Sequence, residues 1–323
     1  MPDVFDASLL NSTFRMIAPI LLAALGGLIC ERVGVFNIAL EGLMLAGAFA
    51  AVAGSFFAEN AMVGVLAAVL VGAVIAALFA FPAVYLRGNV IVLGIAINFL
   101  ALGLTSFLMR PFFGVRGNFT DPRIRGLGRI DIPIVEDVPV LGPILSGHSW
   151  VVYLSWALVV VAQVVLFHHI LGLRARGIGE RPEAAETLGV KVKPFRLAAV
   201  LLSGVLCGLA GAQLSLGQVT LFVENMTAGR GWIAVVAVMF GRAHPLGVLG
   251  ASVLFGFFDA LGFRLQGERI PNQFAAMIPY LATLVALFAF EARRRGRARR
   301  LRLLAPASAA TGAESEERGG SAV

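Results

Sequence analysis

The sequence predicts an all-α protein that crosses a membrane many times, and three observations support this. First, 59% of its 323 residues are hydrophobic and only 14% are charged, with a mean hydropathy of +0.87. A soluble domain of this size has no interior for so many apolar residues. Second, the apolar runs are much longer than the roughly ten residues of a membrane β-strand. Third, the 37 glycines suit helices that pack closely in lipid.

The apolar runs define a predicted transmembrane domain at residues 16–290, between an N-terminal segment, 1–15, and a basic, then disordered tail, 291–323. The first run is a little short for a span. The seventh, Gly231–Gly241, is too short to cross about 30 Å as a straight helix, so it extends into its flanks or forms half of a broken helix. The runs are Met16–Cys30, Val35–Ala58, Ala61–Leu86, Val90–Met109, Ser149–Leu171, Leu197–Gln218, Gly231–Gly241, Leu246–Phe263 and Phe274–Phe290.

The most hydrophilic interior stretch is the loop at residues 172–196. Within it, Pro182–Leu188 predicts a helix of about two turns. Proline suits a first helical position, Glu183 and Glu186 suit the positive end of the helix dipole, and a glycine at position 189 can close the helix. The loop is interpreted either as a docking surface for a soluble partner or as a solvated connector whose charges set the topology.

Positive charge predicts the orientation of the chain. The 172–196 loop holds six Lys or Arg, and the tail holds seven Arg by Arg302. Because basic segments stay on the cytoplasmic side, both are predicted to be cytoplasmic. The N-terminus then lies outside, provided that the first two runs each cross once. Charge concentrated beside membrane spans indicates topology and contact with anionic lipid, not nucleic acid.

Four polar side chains fall inside the apolar runs: Asn37, Glu41, Asn98 and Asp259. A carboxyl group at membrane depth costs at least about 2.5 kcal/mol on insertion, so it usually faces protein or water. Asn37 and Glu41 are four residues apart and share a face of any helix that holds both. These side chains either line a polar substrate path or hold helices and backbone breaks together.

Sequence motifs for catalysis and for nucleotide binding are missing. There is no GxxxxGKS/T, HExxH or GxSxG, so neither an ATP site nor a catalytic cluster is predicted. His168 and His169 have no acidic or cysteine partner nearby in sequence, and no metal site is predicted. A transporter of this kind uses an ion gradient itself or is driven by a soluble motor docked on a cytoplasmic surface.

Three stretches together resemble the membrane subunits of ATP-binding-cassette importers. The branch is that of the ribose, branched-chain amino acid and nucleoside permeases, and the first stretch is most similar to the nucleoside, or simple-sugar, subgroup. The stretches are ERVGVFNIALEGLMLAGAF from Glu31, GERPEAAETLGV from Gly179, and GRGWIAVVAVMFGRAHPLGVLGA from Gly229.

The resemblance implies a fold and a set of partners. The fold would be a vitamin-B12-importer-like (type II) bundle of about 8–10 transmembrane helices, with related broken elements near Gly34 and Gly229. A separate ATPase would bind ATP and Mg²⁺, and this chain would hold no cofactor. A second, different permease subunit and an extracytoplasmic substrate-binding lipoprotein would complete the importer in a bacterial cytoplasmic membrane. The segment that couples to the ATPase would comprise Glu180, Pro182, Glu183, Ala184, Ala185 and Gly189.

Two functions therefore compete. An importer permease would carry a nucleoside or simple sugar past Asn37, Glu41 and Asn98. An ion-coupled secondary transporter or channel would instead use Glu41 or Asp259 as its titrating carboxyl group, and would work without an ATPase.

Overall fold

The structure is a computed structural model that describes residues 7–131 and 146–265, with three further helical positions, Met277, Leu281 and Val285. The helices are α1 Ala7–Arg32, α2 Leu40–Ala58, α3 Ala61–Tyr85, α4 Val90–Phe113, α5 Trp150–His168, α6 Ile170–Glu180, α7 Pro182–Thr187, α8 Val192–Ala212, α9 Arg230–Phe240 and α10 Pro245–Leu265. A π-helical segment, Gln213–Val219, continues α8. The strands are β1 Asn118–Phe119, β2 Arg129–Ile130, β3 His148–Ser149 and β4 Phe222–Val223.

Seven of these helices are long and apolar enough to cross a membrane, which confirms the all-α transmembrane class. They are α1 to α5, α8 and α10, while α9 is apolar but has only 11 residues. Of the last predicted run, Phe274–Phe290, only the three isolated positions are described, and the basic tail lies outside the described residues.

The bundle has two ends that the chain visits in turn. One end carries α7, and we call it the α7 end; the other carries the four short strands, and we call it the β end. Helix α1 runs from the β end to the α7 end, where Arg32 meets the turn after α9. At the β end, β1 pairs antiparallel with β4 and β2 pairs antiparallel with β3.

Helices α1 and α2 form the centre of the bundle. In their most apolar stretches 83% and 89% of the residues are buried, against 22% in α4 and 28% in α5. The outer helices turn large apolar side chains outward, and Phe99 and Phe107 of α4 are 70% and 72% exposed. An apolar exterior of this kind suits lipid or a partner's apolar helices.

Glycine permits a very close helix contact between α3 and α8. A Cβ atom at Gly204 would collide with the carbonyl oxygen of Gly72, and one at Gly208 would collide with the carbonyl oxygen of Ala68. Small residues spaced four apart let two backbones touch, and dispersion contacts then replace a hydrophobic driving force that lipid cannot supply. The high glycine content thus serves close packing at this contact.

The structure corrects three element boundaries. The first run is not short, because helix α1 begins at Ala7 and spans 26 residues. The second run is helical only from Leu40, since residues 33–39 form a break. The 172–196 segment is not mainly loop: α6 extends to Glu180, and α7 and the start of α8 follow. Helix α6 was missed because its three glycines lower helix propensity.

The segment between α4 and β2 carries a local ion pair on the surface. Arg123 donates from its Nε to Asp121 at 3.1 Å, and its backbone N–H donates to the same carboxylate at 2.9 Å. These hydrogen bonds hold the pKa of the Asp121 carboxyl below its ordinary value.

Candidate functional site

A break of seven residues, 33–39, separates α1 from α2. It opens with Gly34 at a φ of +75°, a left-handed conformation that glycine adopts without steric cost. The buried Asn37 side chain supports the break from inside. Its Oδ1 accepts from the N–H of Ala39 at 3.0 Å, and its Nδ2 donates to Ser203 Oγ of α8 at 3.0 Å. The amide thus replaces part of the hydrogen bonding that a continuous helix would supply.

Asn98 supports the same break from α4. Its Nδ2 donates to the carbonyl oxygen of Ile38 at 3.0 Å, and its Oδ1 accepts from the N–H of Gly42 at 2.8 Å. Asn98 lies eight residues into α4, which is about 12 Å from the α7 end of the bundle. The break therefore lies inside the bundle, where unpaired backbone groups are costly.

Glu41 joins the break to helix α9, about 190 residues later in the chain. Its carboxylate accepts from the N–H of Gly229 at 2.8 Å and from the N–H of Gly231 at 2.6 Å. These are among the N–H groups at the start of α9, which have no acceptor within the helix. A Cβ atom at position 231 would collide with the backbone of Glu41, so the glycine allows this approach. A carboxylate here also suits the positive end of the helix dipole.

A second carboxylate meets the first turn of α9 from α10. Arg230 Nε donates to Asp259 Oδ2 at 2.9 Å, and the two side chains are only 16% and 13% exposed. With its 11 residues, α9 extends about 15 Å from this point to the α7 end, about half the thickness of a bilayer core. The structure thus shows a half-helix whose start is held in mid-bundle by two acids.

The other end of α9 is held by Arg32. Its Nε donates to the carbonyl oxygen of Ala243 at 2.6 Å, just after α9. The guanidinium groups of Arg32 and Arg176 both lie over the ring of Phe167, at 5.4 and 5.1 Å from its centre. The segment from Arg32 to Glu41 therefore contacts α9 at both of its ends.

The corners on either side of α9 have unusual backbone conformations. Ala228 and Gly229 precede the helix with φ angles of +44° and +85°. Arg242 and Ala243 follow it with φ angles of +51° and +49°. Three of these four residues are not glycine, so the left-handed conformation is sterically unfavourable for them.

The predicted coupling residues lie at the α7 end, close to the break. Gly179 of α6 packs its Cα against the backbone of Arg32 and Gly34 so closely that a side chain would collide there. At the start of α8, Arg196 Nε donates to the carbonyl oxygen of Val33 at 3.0 Å. The elements that flank α7 therefore both contact the beginning of the break.

Helix α7 itself is short and mostly exposed. Pro182 is at its first position, and Gly189 has a φ of +80° after its end, as the sequence predicts. Glu180, Glu183 and Ala184 are exposed, whereas Ala185 is 7% exposed and packs inward. Leu188, a large apolar residue at the end of the helix, is 83% exposed.

The sequence-predicted site residues thus fall into two groups. Asn37, Glu41 and Asn98 come together around the break, and their polar atoms bond to the chain itself. The coupling residues form the exposed α7 surface. Sequence reasoning missed Arg32 and Arg230. Both are arginines at the edge of an apolar run, a position that in the sequence alone indicates only topology, so nothing in the sequence identifies their partners.

Comparison with known families identifies the class of protein. The family of the branched-chain amino acid transport system / permease component matches residues 9–287. The chain belongs to this permease family. The permease is 38% identical to a guanosine ABC transporter permease of Bacillus subtilis over 86% of this chain and 90% of that protein. It is 36% identical to a nucleoside ABC transporter permease of Lactococcus lactis, over 84% of this chain and 88% of that protein.

A third relative broadens the range of named substrates. The permease is 35% identical to a protein of Haloferax volcanii that is provisionally named a glucose ABC transporter permease, over 88% of this chain and 91% of that protein. Among solved structures, a transporter provisionally described as of the metal-chelate ABC type, in an inward-facing conformation, matches with a TM-score of 0.52 at 18% identity. The match covers 87% of this chain and 85% of that one, and it supports the type II importer fold.

These comparisons decide between the two functions. The chain is an ABC transporter permease, a multi-pass membrane component, and the ion-coupled alternative gains no support. The structure agrees with this, because Asp259 has Arg230 as an ion partner and Glu41 is bonded to two backbone N–H groups.

Replacing Glu41 by Gln should destabilise the permease by about 1–3 kcal/mol, the usual effect of losing hydrogen bonds to a buried charged group. The Gln side chain keeps one acceptor but presents an NH₂ group to the second backbone N–H. Thermal unfolding of the purified protein in detergent measures the effect. Glu59→Gln is the matched control, since Glu59 is exposed at the other end of α2. Equal unfolding temperatures for the two variants would show that the Glu41 contacts contribute nothing to stability.

Proposed function

We propose that this permease forms the translocation path for nucleosides in an ATP-binding-cassette importer of a bacterial cytoplasmic membrane. The observation that carries the proposal is the 38% identity to the guanosine permease of Bacillus subtilis across nearly the whole chain. The Lactococcus relative, also named for nucleosides, adds to it. A simple sugar is the second candidate, favoured by the relative from Haloferax.

The mid-bundle chemistry agrees with a neutral ligand. Both carboxylates at membrane depth, Glu41 and Asp259, are already bonded to protein groups, so neither presents a free charge to a ligand. Within the proposal, Asn37, Glu41 and Asn98 shape the wall of the path by fixing the break and the start of α9. A nucleoside, which has many hydroxyl and amide groups but no net charge, suits such a path.

Helix α7 is proposed as the docking element for the ATPase subunit. It is short and exposed, it begins with Pro182 and ends before Gly189, and the side chain of Leu188 after its last turn is 83% exposed. The exposed acidic residues and this large apolar side chain offer a partner both charged and apolar contacts. ATP and Mg²⁺ would be bound by that partner and not by this chain.

The contacts at the α7 end suggest how docking acts on the path. Movement of α6 and α7 presses on the backbone at Gly34, through Gly179. The same segment holds α9 through Arg32 at one end and Glu41 at the other. A displacement at the docking surface therefore reaches the half-helix through one continuous stretch of ten residues.

The proposal also fixes the orientation. If α7 docks on a cytoplasmic ATPase, the α7 end is cytoplasmic and the β end faces outward. Helix α10 then ends on the outer side, and one further crossing by the predicted run Phe274–Phe290 returns the basic tail to the cytoplasm. The N-terminus lies outside, where a binding lipoprotein would deliver the ligand.

Pull-down of this chain from native membranes, through a tag on the C-terminal tail, tests the proposed assembly. Mass spectrometry should recover an ATPase, a second and different permease, and a binding lipoprotein. Cells that carry the complete set should then take up labelled guanosine in preference to labelled ribose or glucose. Recovery of this chain alone, under conditions that preserve known importers, would contradict the assembly, and preference for a hexose would favour the sugar candidate.

Replacing Ala184 by Arg should abolish recovery of the ATPase and reduce nucleoside uptake to background. Ala184 is exposed on α7, so a large charged side chain blocks docking without disturbing the fold. Ala58→Arg, at an exposed position at the β end, is the matched control. Uptake by the Ala184→Arg variant equal to that of the control would rule α7 out as the docking element.

Replacing Arg32 by Gln should separate ATP hydrolysis from uptake. The variant keeps α7 intact and should still recover the ATPase. It loses the hydrogen bond from the charged Arg32 side chain to the turn after α9, and this loss should lower uptake about tenfold. Parallel assays of ATP hydrolysis and nucleoside uptake in proteoliposomes measure this. Arg174→Gln, an exposed arginine of α6 at the same end, is the control. Loss of hydrolysis in proportion to uptake would contradict a transmitting role for Arg32.

A further inference from the structure

A polar cavity of about 170 Å³ lies inside the bundle at the β end. It is separate from the break and from the α7 surface, and it has no part in the proposed transport path. Helix α1, the β2–β3 pair and the π-helical segment after α8 enclose it. Its lining residues include Asn11, Arg15, Arg129, His148, Ser149 and Gln213.

The π-helical segment builds one wall of the cavity. Gln213 is its first residue, and a Cβ atom at Gly217 would collide with the Gln213 side chain. The wider turn and the glycine together make room for this side chain. Short π-helical segments carry unfavourable geometry and occur frequently at functional sites.

Two hydrogen-bond donors of the lining have no acceptor among the residues that the structure describes. Gln213 is fully buried; its Oε1 accepts from Ser149 Oγ, while its Nε2 has no acceptor among the described residues. Nε of Arg15 is likewise buried and without an acceptor in the described part of the chain. A buried donor without an acceptor is unfavourable, so an acceptor within reach of these two lining side chains would stabilise the cavity.

The charge of the cavity is positive. Arg15 and Arg129 both line it, and they are close enough for their charges to repel. None of the described lining residues is acidic, and Asp131 lies just outside, beside Gly147. Guanidinium and amide N–H groups converging without a carboxylate are the donor set for an oxyanion.

The volume of the cavity limits the size of the ligand that it can hold. The cavity volume is many times the roughly 10–15 Å³ that a single water needs, so it has room for a tetrahedral oxyanion together with water. A nucleoside has several times as many atoms as a phosphate group, so the cavity is not a site for that transported ligand.

The surroundings place the cavity at the depth of a membrane surface. Phe14, one residue before Arg15, stacks on Trp156 with ring centres 4.9 Å apart, and it also lies beside His148. Trp150 begins α5 at this end of the bundle, and a tryptophan at the end of a membrane helix is typical of the membrane–water interface, where phospholipid phosphates lie. We propose that the cavity binds a phosphate group, with Arg15, Arg129 and Gln213 as its donors. The phosphate comes from a phospholipid headgroup or from solution.

The test uses the full-length permease, delipidated in detergent, and inorganic phosphate as the probe. Phosphate should raise the unfolding temperature, whereas chloride at the same ionic strength should not. Arg129→Gln should weaken phosphate binding about tenfold, as loss of a charged hydrogen bond predicts. Arg129 is exposed at the rim, so this variant leaves the bundle intact. Arg116→Gln, also exposed in the segment between α4 and β2, is the matched control and should bind like the wild type.

The same measurement on protein in phosphatidylglycerol nanodiscs distinguishes the two sources of phosphate. The phosphate belongs to a lipid headgroup if added inorganic phosphate gives no further stabilisation and native mass spectrometry finds a phospholipid that is retained by the wild type and lost in Arg129→Gln. Continued stabilisation assigns phosphate from solution.

Two results would overturn the proposal. One is wild-type protein that neither responds to phosphate nor retains phospholipid. The other is equal weakening of phosphate binding by Arg116→Gln.

Discussion

The organisation of this permease depends on one carboxylate, that of Glu41, and on the two backbone N–H groups that it accepts from at the start of α9. A half-helix that begins in mid-bundle exposes N–H groups where water is scarce, and each one without an acceptor is costly. One glutamate at the start of α2 accepts from two of these N–H groups, and its negative charge is stabilised by the positive end of the α9 dipole. The break between α1 and α2, which brings Glu41 to this depth, is stabilised in turn by Asn37 and Asn98.

This arrangement explains why membrane-depth polar residues need not mark a ligand site. Asn37, Asn98, Glu41 and Asp259 each bond to the protein itself, and three of the four satisfy backbone groups freed by an interruption of helix. Their cost on insertion is offset by the hydrogen bonds that they supply to non-helical chain. Irregular backbone within a membrane protein is tolerated where the protein buries it, and these residues show how it is satisfied.

Much of the fold could be predicted from the sequence, because lipid imposes a strict length on apolar helices. The runs Ala61–Leu86 and Val90–Met109 became α3 and α4 with boundaries shifted by at most four residues. The coupling helix was also predicted within one residue at its end, since proline and glycine punctuate it. The residues of the break at 33–39 did not themselves predict it, because they are as apolar as those of a helix and only the distant partners of Asn37 make a non-helical path favourable. Only the resemblance to the importer family implied a broken element near Gly34.

The candidate site was predictable as a set of residues but not as a set of contacts. Glu41 and Asn98 stand out in any apolar run, yet the pairing of Glu41 with residues 229 and 231 spans most of the chain, and a single sequence holds no signal for it. The two broken elements near Gly34 and Gly229, which the family resemblance relates to each other, are alike only in part. Both glycines are left-handed, but the residues after Gly34 are not helical until Leu40, whereas those after Gly229 are helical.

The corners that flank α9 have an energetic consequence for any movement of that helix. Ala228, Arg242 and Ala243 hold left-handed conformations that cost on the order of 1–3 kcal/mol each. The hydrogen bonds of Arg32 and Glu41 therefore hold α9 between two turns whose backbone is strained. Because Arg32 bonds to Ala243 and Glu41 bonds to Gly229, a movement of α9 that breaks either contact would act at a corner where the backbone is already strained.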